Sequence, residues 1–255
     1  MTKQTLLILE FAGIAVLKLK TRVRKLSLVI FFSLYNSSMV AAEECVILLH
    51  GLARISNSMS ELATKLSQKN FFVANIKYPS LRYEIESLAK DAVGSGVDTC
   101  IESGAEKIHF VTHSLGGILV RYYFMENELS LMGRVVMLGP PNQGSEIVDK
   151  LAFLPGFDLL GPAGLALGTK GQSILKQLRP VDFELGIIAG TVSINPLSFF
   201  MLESPNDGVV SVKSTKVAGM KAHITLPVTH SFMMRNNEVI DHAISFLRSG
   251  YFLSD

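Results

Sequence analysis

The feature that most constrains this chain is a serine placed between a strand-like and a helix-like segment. Residues 107–111 are rich in β-branched and aromatic side chains, as in a buried strand. Residues 118–125 contain no Pro or Gly and carry apolar side chains at helical spacing. Between them lies Thr112-His113-Ser114-Leu115-Gly116, which departs from the G-x-S-x-G strand-to-helix turn only at its first position. Because such a turn is strained and exposes its serine hydroxyl above the sheet, Ser114 is the candidate nucleophile.

Strand-like and helix-like segments alternate through the rest of the chain. Strands are predicted at residues 45–49, 71–76, 107–111, 134–138, 184–189 and 222–226, and helices at 58–68, 85–97, 115–125 and 236–248. This alternation predicts an α/β fold: a mostly parallel, twisted sheet with helices on both faces. A chain of 255 residues of which 48% are hydrophobic suits one large domain of this class.

Residues 146–182, which follow the fourth predicted strand, interrupt this alternation. Eight Pro and Gly residues are scattered among apolar side chains in this stretch. It is too apolar for a solvated linker and too often interrupted for one long helix. We expect a small cap or lid of short helices over the site. Ordinary packing at the periphery of the domain is the alternative.

The first 44 residues have the organisation of a secretory signal peptide. Arg22, Arg24 and Lys25 precede the apolar run 26–34, and small residues follow at 40–42. That run is too short to span a bilayer comfortably. Because residues 5–17 are also apolar, two interpretations stay open. Either the protein is exported, to a periplasm or the medium, from a start further downstream, or the two segments hold it at a membrane. Residues 45–255 form the predicted α/β domain.

Cys45 and Cys100 are the two cysteines of the chain. Export would place them in an oxidising compartment, where two cysteines of one domain tend to pair. Cys45 opens the first strand, and Cys100 lies near the end of a helical stretch that precedes the strand leading to Ser114. We therefore predict a Cys45–Cys100 disulfide, with two buried free thiols as the alternative.

The composition argues against several classes of ligand. The net charge is only +2, and the body of the chain has no basic run, so no nucleic-acid partner is expected. No zinc-type Cys/His spacing, P-loop or G-x-G-x-x-G after a strand occurs in the sequence. Neither a metal nor another cofactor is therefore expected, and no obligatory protein partner is inferred.

Two loops near the end of the chain carry a candidate acid and a candidate base. Attack of a serine on an acyl carbonyl needs an imidazole to take the proton and a carboxylate to orient that imidazole. Asp207 lies in the turn-rich loop after the fifth strand, and His230 lies just after the sixth. Loops at the carboxyl ends of parallel strands are where an open sheet builds its site. Glu203 is the one close rival to Asp207.

The remaining candidates are expected to lie away from the chemistry. Asp182 precedes its strand and therefore lies at the wrong end of the sheet. Asp241 and His242 fall inside the last helix and are expected on its solvated face. Three further imidazoles are expected to be structural or distant from the site: His109, His113 and His223.

A second loop near Ser114 offers backbone donors. His50-Gly51-Leu52 directly follows the first strand, which should place its amides beside the Ser114 turn. The amides of Leu52 and Leu115 are therefore the candidate oxyanion hole. Each such donor lowers a barrier by roughly 2.7–4 kcal/mol.

Five segments together carry a family resemblance that spans roughly residues 45–248: His50-Gly51-Leu52, residues 112–117, 140–145 and 206–210, and His230. In this order the chain resembles bacterial α/β-hydrolases of the secreted lipase/esterase kind. The resemblance implies the α/β-hydrolase fold, a triad of Ser114, Asp207 and His230, and oxyanion donors at Leu52 and Leu115. Thr112 departs from the family's usual Gly, and nothing clearly matches the calcium site that some of these lipases carry.

The resemblance and the residues lead to one expected function. We expect a serine hydrolase that cleaves carboxylic esters, small or lipid, with medium or long acyl chains. An acyltransferase or thioesterase would use the same triad with another acceptor or substrate. A non-catalytic binding protein on the same scaffold is less favoured, because all three triad residue types occur in order.

Overall fold

Six parallel strands form one sheet in the part of the chain that the computed structural model describes, residues 43–170 and 174–254. The strands are β1 (Glu44–Leu49), β2 (Phe72–Ile76), β3 (Lys107–His113), β4 (Met132–Leu138), β5 (Leu185–Gly190) and β6 (Ala222–Leu226). Their order is β2-β1-β3-β4-β5-β6, and every neighbouring pair is parallel. The predicted α/β class is therefore confirmed.

Helices connect these strands. They are α1 (Ser60–Ser67), α2 (Ile85–Leu88), α3 (Gly94–Glu102), α4 (Leu115–Glu126), α5 (Glu146–Leu151), α6 (Gly161–Leu165), α7 (Ser198–Met201), α8 (Val212–Thr215) and α9 (Asn237–Ser249). A π-helical turn, Ala89–Val93, joins α2 to α3. The last helix has clear end signals: Asn236 Oδ1 accepts a hydrogen bond from Val239 N, and Gly250 follows with a φ of 78°.

Both faces of the sheet are covered, as the continuous apolar runs of the strands require. In β1, Cys45, Ile47 and Leu49 pack on the face that carries α2, α3 and α4, whereas Val46 and Leu48 pack against α1 and α9. Successive strand side chains point to opposite faces, so each strand contributes to two separate cores.

The Cys45–Cys100 disulfide is present and links β1 to α3, with the two Cα atoms 5.7 Å apart. This pairing confirms the prediction, and the alternative of two free thiols was wrong. The bridge ties the N-terminal end of β1 to the helix that leads into β3, the strand before Ser114.

Residues 146–182 contain the short helices that the Pro and Gly pattern predicts. α5 and α6 are separated by a single 3-10 turn, Phe157–Leu160, and a second one follows at Ile174–Lys176. The helices of this stretch are at most six residues long within the described range. We refer to the described part of this stretch, residues 146–170 and 174–182, as the cap.

The last helix gives one correction. His242 was predicted on the solvated face, but its side chain is only 8% exposed. It lies three residues after Val239 and four before Phe246, and residues at these spacings share one face of a helix. Because both of those residues are fully buried, His242 is buried with them. Asp241 is exposed, as expected.

The predicted signal peptide falls almost wholly on residues 1–42, which lie outside the described residues. Within residues 43–170 and 174–254, none of the helices combines the length and the apolar character needed to cross a bilayer.

Candidate active site

Ser114 lies at the tip of the turn between β3 and α4. Its backbone has a φ of 52° and a ψ of −119°, a conformation that non-glycine residues rarely adopt. The Ser114 amide donates to Leu138 O at 2.9 Å, which holds the turn against the end of β4. On the helix side, a Cβ on Gly116 would lie 2.6 Å from Leu49 O, so no larger residue fits there. The strand-turn-helix geometry predicted for Ser114 is therefore present.

Thr112 does not prevent this geometry. It replaces the first glycine of the pattern and is fully buried at the end of β3. Ser114 nevertheless keeps its positive φ. The departure from the pattern therefore leaves the turn itself formed.

Asp207 and His230 are joined by a direct hydrogen bond. His230 Nδ1 lies 2.7 Å from Asp207 Oδ2. The other carboxylate oxygen accepts from the amides of Val209 (3.0 Å) and Val210 (2.8 Å), and the His230 amide donates to the Asp207 carbonyl at 3.0 Å. These bonds fix the carboxylate and the imidazole relative to each other. They leave His230 Nε2 as the ring nitrogen available to another partner.

Ser114 and His230 line one cavity of about 300 Å³. Its wall is largely apolar and includes cap residues, among them Ile147, Val148, Phe157, Leu160 and Leu167. Among the described residues, Ser114 Oγ makes no hydrogen bond to His230, although both residues line this cavity. The structure thus brings together Ser114, His230, Asp207 and Leu52, the last of which also lines the cavity.

The strand order explains why these loops meet. The chain leaves β1 toward β2 and returns to β3 on the other side of β1, which opens a crevice at the carboxyl ends of β1 and β3. Leu52 follows β1 and Ser114 follows β3. Asp207 and His230 come from the loops after β5 and β6.

The rival carboxylates are far less suited to the site. Glu203 has a side chain 55% exposed and pairs with Lys213 at 3.0 Å. Asp182 is exposed and lies before β5, at the opposite end of the sheet from Asp207. In the described part of the chain, no three or more His, Cys, Asp or Glu side chains are grouped so that they could hold a metal ion.

His113 supports the backbone of His230. Its Nε2 lies 2.9 Å from the His230 carbonyl oxygen, to which it donates. Burial, and then the nearby His230, keep the pKa of His113 well below its usual value, so the ring stays neutral. Of the other imidazoles, His109 accepts from the Arg134 amide and His223 bonds to Thr215 Oγ1. His109 and His113, which were expected to be structural, bond to backbone groups, and His223, which was expected to be distant from the site, does not line the cavity.

Gly139 is a site residue that the sequence analysis missed. It directly follows β4 with a φ of 53°, and a Cβ there would lie 2.9 Å from Asp207 Oδ2 and 3.1 Å from His230 Nδ1. Any side chain at position 139 would therefore press on the hydrogen-bonded pair of Asp207 and His230. The signal was the single glycine between the β4 run and Pro140-Pro141.

Arg121 is a second residue that was missed. From α4 it reaches Asn142 O and Oδ1, both at 3.1 Å, and the Arg179 carbonyl at 3.3 Å. Burial lowers the pKa of Arg121 to about 10. Asn142 in turn donates to Thr215 O at 2.7 Å. An arginine on a helix is expected at the surface, so nothing in the sequence indicated this link.

The sheet order and the turn at Ser114 together define the α/β-hydrolase fold, with a cap after β4. The chain matches no protein-family model and no curated protein. Its likeness to known proteins is therefore structural.

Several solved structures share this fold. A lipase from Bacillus licheniformis in its mature form aligns with a TM-score of 0.64 at 19% identity, over 80% of this chain and 89% of that one. The propeptide form of the same lipase aligns with a TM-score of 0.67 at 18% sequence identity. That alignment covers 84% of this chain and 52% of the propeptide form. An esterase from Exiguobacterium antarcticum aligns with a TM-score of 0.59 at 15% sequence identity, over 81% of this chain and 92% of the esterase. Similarity at this level of identity establishes the fold.

Proposed function

We propose that this protein is a serine hydrolase that cleaves carboxylic esters, with Ser114, His230 and Asp207 as its triad. One observation carries the proposal. His230, which is hydrogen-bonded to Asp207, lines the same cavity as Ser114, whose backbone has a strained positive φ. The solved structures that share the fold include a lipase and an esterase.

The triad would act in two stages. His230 Nε2 takes the proton as Ser114 Oγ attacks the ester carbonyl, and a tetrahedral oxyanion forms. When the intermediate collapses, the same proton passes to the departing alcohol, and an acyl-enzyme is left on Ser114. A water molecule then gives its proton to His230 and attacks the acyl carbon. Collapse of this second intermediate returns the proton to Ser114 and releases the acid.

Asp207 orients the imidazole throughout these stages. Its Oδ2 accepts the Nδ1 proton, so Nε2 is the nitrogen without a proton at rest. The carboxylate is itself held by the Val209 and Val210 amides, which limits its rotation. The negative charge also stabilises the imidazolium that forms when Ser114 loses its proton.

We assign the oxyanion hole to the amides of Leu52 and Leu115. Leu115 is the first residue of α4, where backbone N–H groups have no partner within the helix. Leu52 lies on the cavity wall beside Ser114. Neither amide donates a hydrogen bond within the described residues. Both are therefore available to an oxygen that develops charge at Ser114.

The cavity favours an apolar acyl group. Its cap-side wall consists of aliphatic and aromatic side chains, while the polar groups gather around Ser114 and His230. A cavity of about 300 Å³ holds a part of a lipid-sized ester, which leaves the rest at the mouth. We therefore propose esters with medium or long acyl chains as substrates and the cap as a lid over the acyl group.

Exposed aromatic side chains support contact with a lipid surface. Phe153 in the cap is 79% exposed, and Phe199 and Phe200 on α7 are each 77% exposed. Lys150 of α5 donates to the Phe200 carbonyl at 3.1 Å, so the cap and α7 adjoin. We propose peripheral membrane contact through these rings. In flotation with phosphatidylcholine vesicles, F199S/F200S should float less than wild type; equal flotation would contradict this contact.

We also propose export to an oxidising compartment. The Cys45–Cys100 disulfide is the supporting observation, because such bridges are rare in reducing cytosol. The signal peptide predicted at residues 1–44 would direct the chain to the export machinery.

The function is tested by replacing the nucleophile. Ser114→Ala should lower nitrophenyl-ester hydrolysis to background and leave the circular dichroism spectrum unchanged, because only one hydroxyl is removed. Ser58→Ala is the matched control, since Ser58 is an exposed serine whose Oγ donates to Ile55 O at 2.8 Å, away from the site. A series of ester chain lengths would define the acyl preference. Activity retained by the Ser114 variant would refute the proposal.

A further inference from the structure

The loop after β1, residues 50–54, is held in an unusual conformation. Ala53 has a φ of 53°, a left-handed value that residues with a Cβ avoid. Such a conformation persists only where surrounding contacts enforce it. The loop contains Leu52, to which the proposed function assigns an oxyanion donor.

Two residues of the segment after β2 supply these contacts. The Ala53 amide donates to Ser80 Oγ at 3.1 Å, and Ser80 is only 3% exposed. The Tyr78 hydroxyl donates to the His50 carbonyl. The Tyr78 ring also stacks on the His50 ring, with centroids 4.0 Å apart and an angle of 9° between the planes. The loop is thus bonded to one neighbouring segment at two points.

Leu52 lies between these two points. His50 is anchored two residues before it and Ala53 one residue after it. Its side chain packs closely on the cap, where a Cβ on Gly164 would lie 2.8 Å from Leu52 Cδ2. With restraints on both sides and at the side chain, the Leu52 peptide has little freedom to rotate.

We propose that Tyr78 and Ser80 are positioning residues of the oxyanion hole, which hold the Leu52 amide toward the oxygen that gains charge during attack by Ser114. The inference rests on the proposed hydrolase function. Neither residue is among those that line the cavity, so neither is expected to touch the substrate. They affect the activation barrier indirectly, by fixing the loop conformation and so the position of the Leu52 amide. A displacement of such a donor by about 1 Å can lower the rate 100-fold.

The test compares variants that each remove one hydroxyl. Tyr78→Phe keeps the ring that stacks on His50, and Ser80→Ala keeps nearly all of the buried volume. Ser103→Ala is the matched control: it also removes a partly buried bond, to Cys100 O at 2.7 Å, but at the end of α3 and away from the site. For each variant we would measure kcat and KM for a nitrophenyl ester and the unfolding temperature. We would also measure inhibition by an alkylboronic acid, which forms a tetrahedral adduct with the nucleophilic serine.

We expect the two substitutions to weaken binding of the transition state and to leave binding of the substrate nearly unchanged. For Ser80→Ala and Tyr78→Phe, kcat should fall about tenfold or more with KM nearly unchanged, and the boronic acid inhibition constant should rise by a similar factor. Ser80→Thr, which keeps a hydroxyl, should recover most of kcat. Ser103→Ala should keep the wild-type kcat even if its unfolding temperature falls.

Three outcomes would overturn the proposal. The first is a kcat within threefold of wild type for both Tyr78→Phe and Ser80→Ala. The second is a loss of kcat without weaker boronic acid inhibition, which would show a merely structural effect. The third is a wild-type protein without esterase activity or labelling by a fluorophosphonate, which would remove the proposed function itself. If Ser80→Ala does not fold, Tyr78→Phe alone decides.

Discussion

Asp207 and Glu203 show how strongly local contacts separate two carboxylates in one loop. Both precede the same short helix, α8, and both follow β5. Asp207 is 2% exposed and accepts two backbone amides on one oxygen, with His230 on the other. Glu203 instead projects into solvent beside Lys213. Only Asp207 can hold an imidazole in one orientation.

The first prediction concerns this carboxylate. Asp207→Asn should lower kcat by about 10⁴-fold, because an amide that donates to Nδ1 favours the wrong imidazole tautomer. Glu203→Gln, the matched change four residues away, should leave kcat at the wild-type value. Steady-state kinetics with one nitrophenyl ester measure both. Comparable losses in the two variants would contradict the assignment of Asp207.

At the residue scale, the sequence indicated the three side chains of the proposed triad but not the residues that contact and position them. Ser114, Asp207 and His230 could be named because residue type, chain order and position after a strand each restrict the choice. Gly139, Tyr78 and Ser80 contact residues that are distant along the chain, and no local sequence pattern encodes such contacts. His242 was misplaced for a different reason: polarity was given more weight than its spacing from Val239 and Phe246.

At the scale of elements, the disulfide links the first strand to the helix before the Ser114 strand. Cys45 and Cys100 are 55 residues apart in sequence, so the bridge closes a long loop of the unfolded chain. The loop contains β2 and most of α3. Closing it restricts the unfolded ensemble and thereby stabilises the fold.

The second prediction follows from the length of this loop. Reduction should lower the free energy of unfolding by about 4 kcal/mol, the loss of unfolded-state restriction for a loop of this size. Urea unfolding of wild type with and without reductant measures the change. Cys45→Ala/Cys100→Ala is the control, and its free energy of unfolding should be the same with and without reductant. An unchanged urea midpoint on reduction of the wild type would contradict the prediction.

The long elements were predictable, whereas two isolated one-turn helices were not. All six strands occur where alternating and continuous apolar runs indicated them, although β3 extends to His113 and β4 begins at Met132. The four-residue helices α7 and α8 were not predicted. A single helical turn is too short for a 3.6-residue period to appear in the sequence.

At the scale of the whole molecule, the interior holds several imidazoles in their neutral form. Burial lowers the pKa of His50, His109, His113 and His223 in the folded protein. For His109 burial outweighs the opposing influence of Glu44, 3.6 Å away, and Lys107 and Arg134 act with burial, so that the pKa falls to about 4. Protonation would also break the bond that its Nδ1 accepts from the Arg134 amide.

The third prediction is a loss of stability in acid. His109 has a pKa near 6.5 in the unfolded chain and about 4 in the folded chain. Between these pH values the unfolded chain therefore binds a proton at His109 and the folded chain does not. The free energy of unfolding therefore falls as the pH falls through this window. His109 alone should contribute about 2 kcal/mol of loss between pH 7 and pH 5.

Urea unfolding of wild type and His109→Gln at these two pH values tests this prediction. Gln removes the titrating ring and keeps an oxygen that can accept a hydrogen bond. The variant should lose about 2 kcal/mol less than wild type over the same interval. Equal losses in the two proteins would show that His109 titrates alike in the folded and unfolded chains.

Covalent labelling tests directly whether Ser114 is the nucleophile. The folded wild-type protein is treated with a fluorophosphonate, and its intact mass and peptide masses are recorded. Because an activated serine displaces fluoride from the probe, we expect one label per chain, on the peptide that contains Ser114, and none on Ser114→Ala. A folded wild-type protein that takes up no label, or takes it up at another residue, would contradict the assignment of Ser114 as the nucleophile.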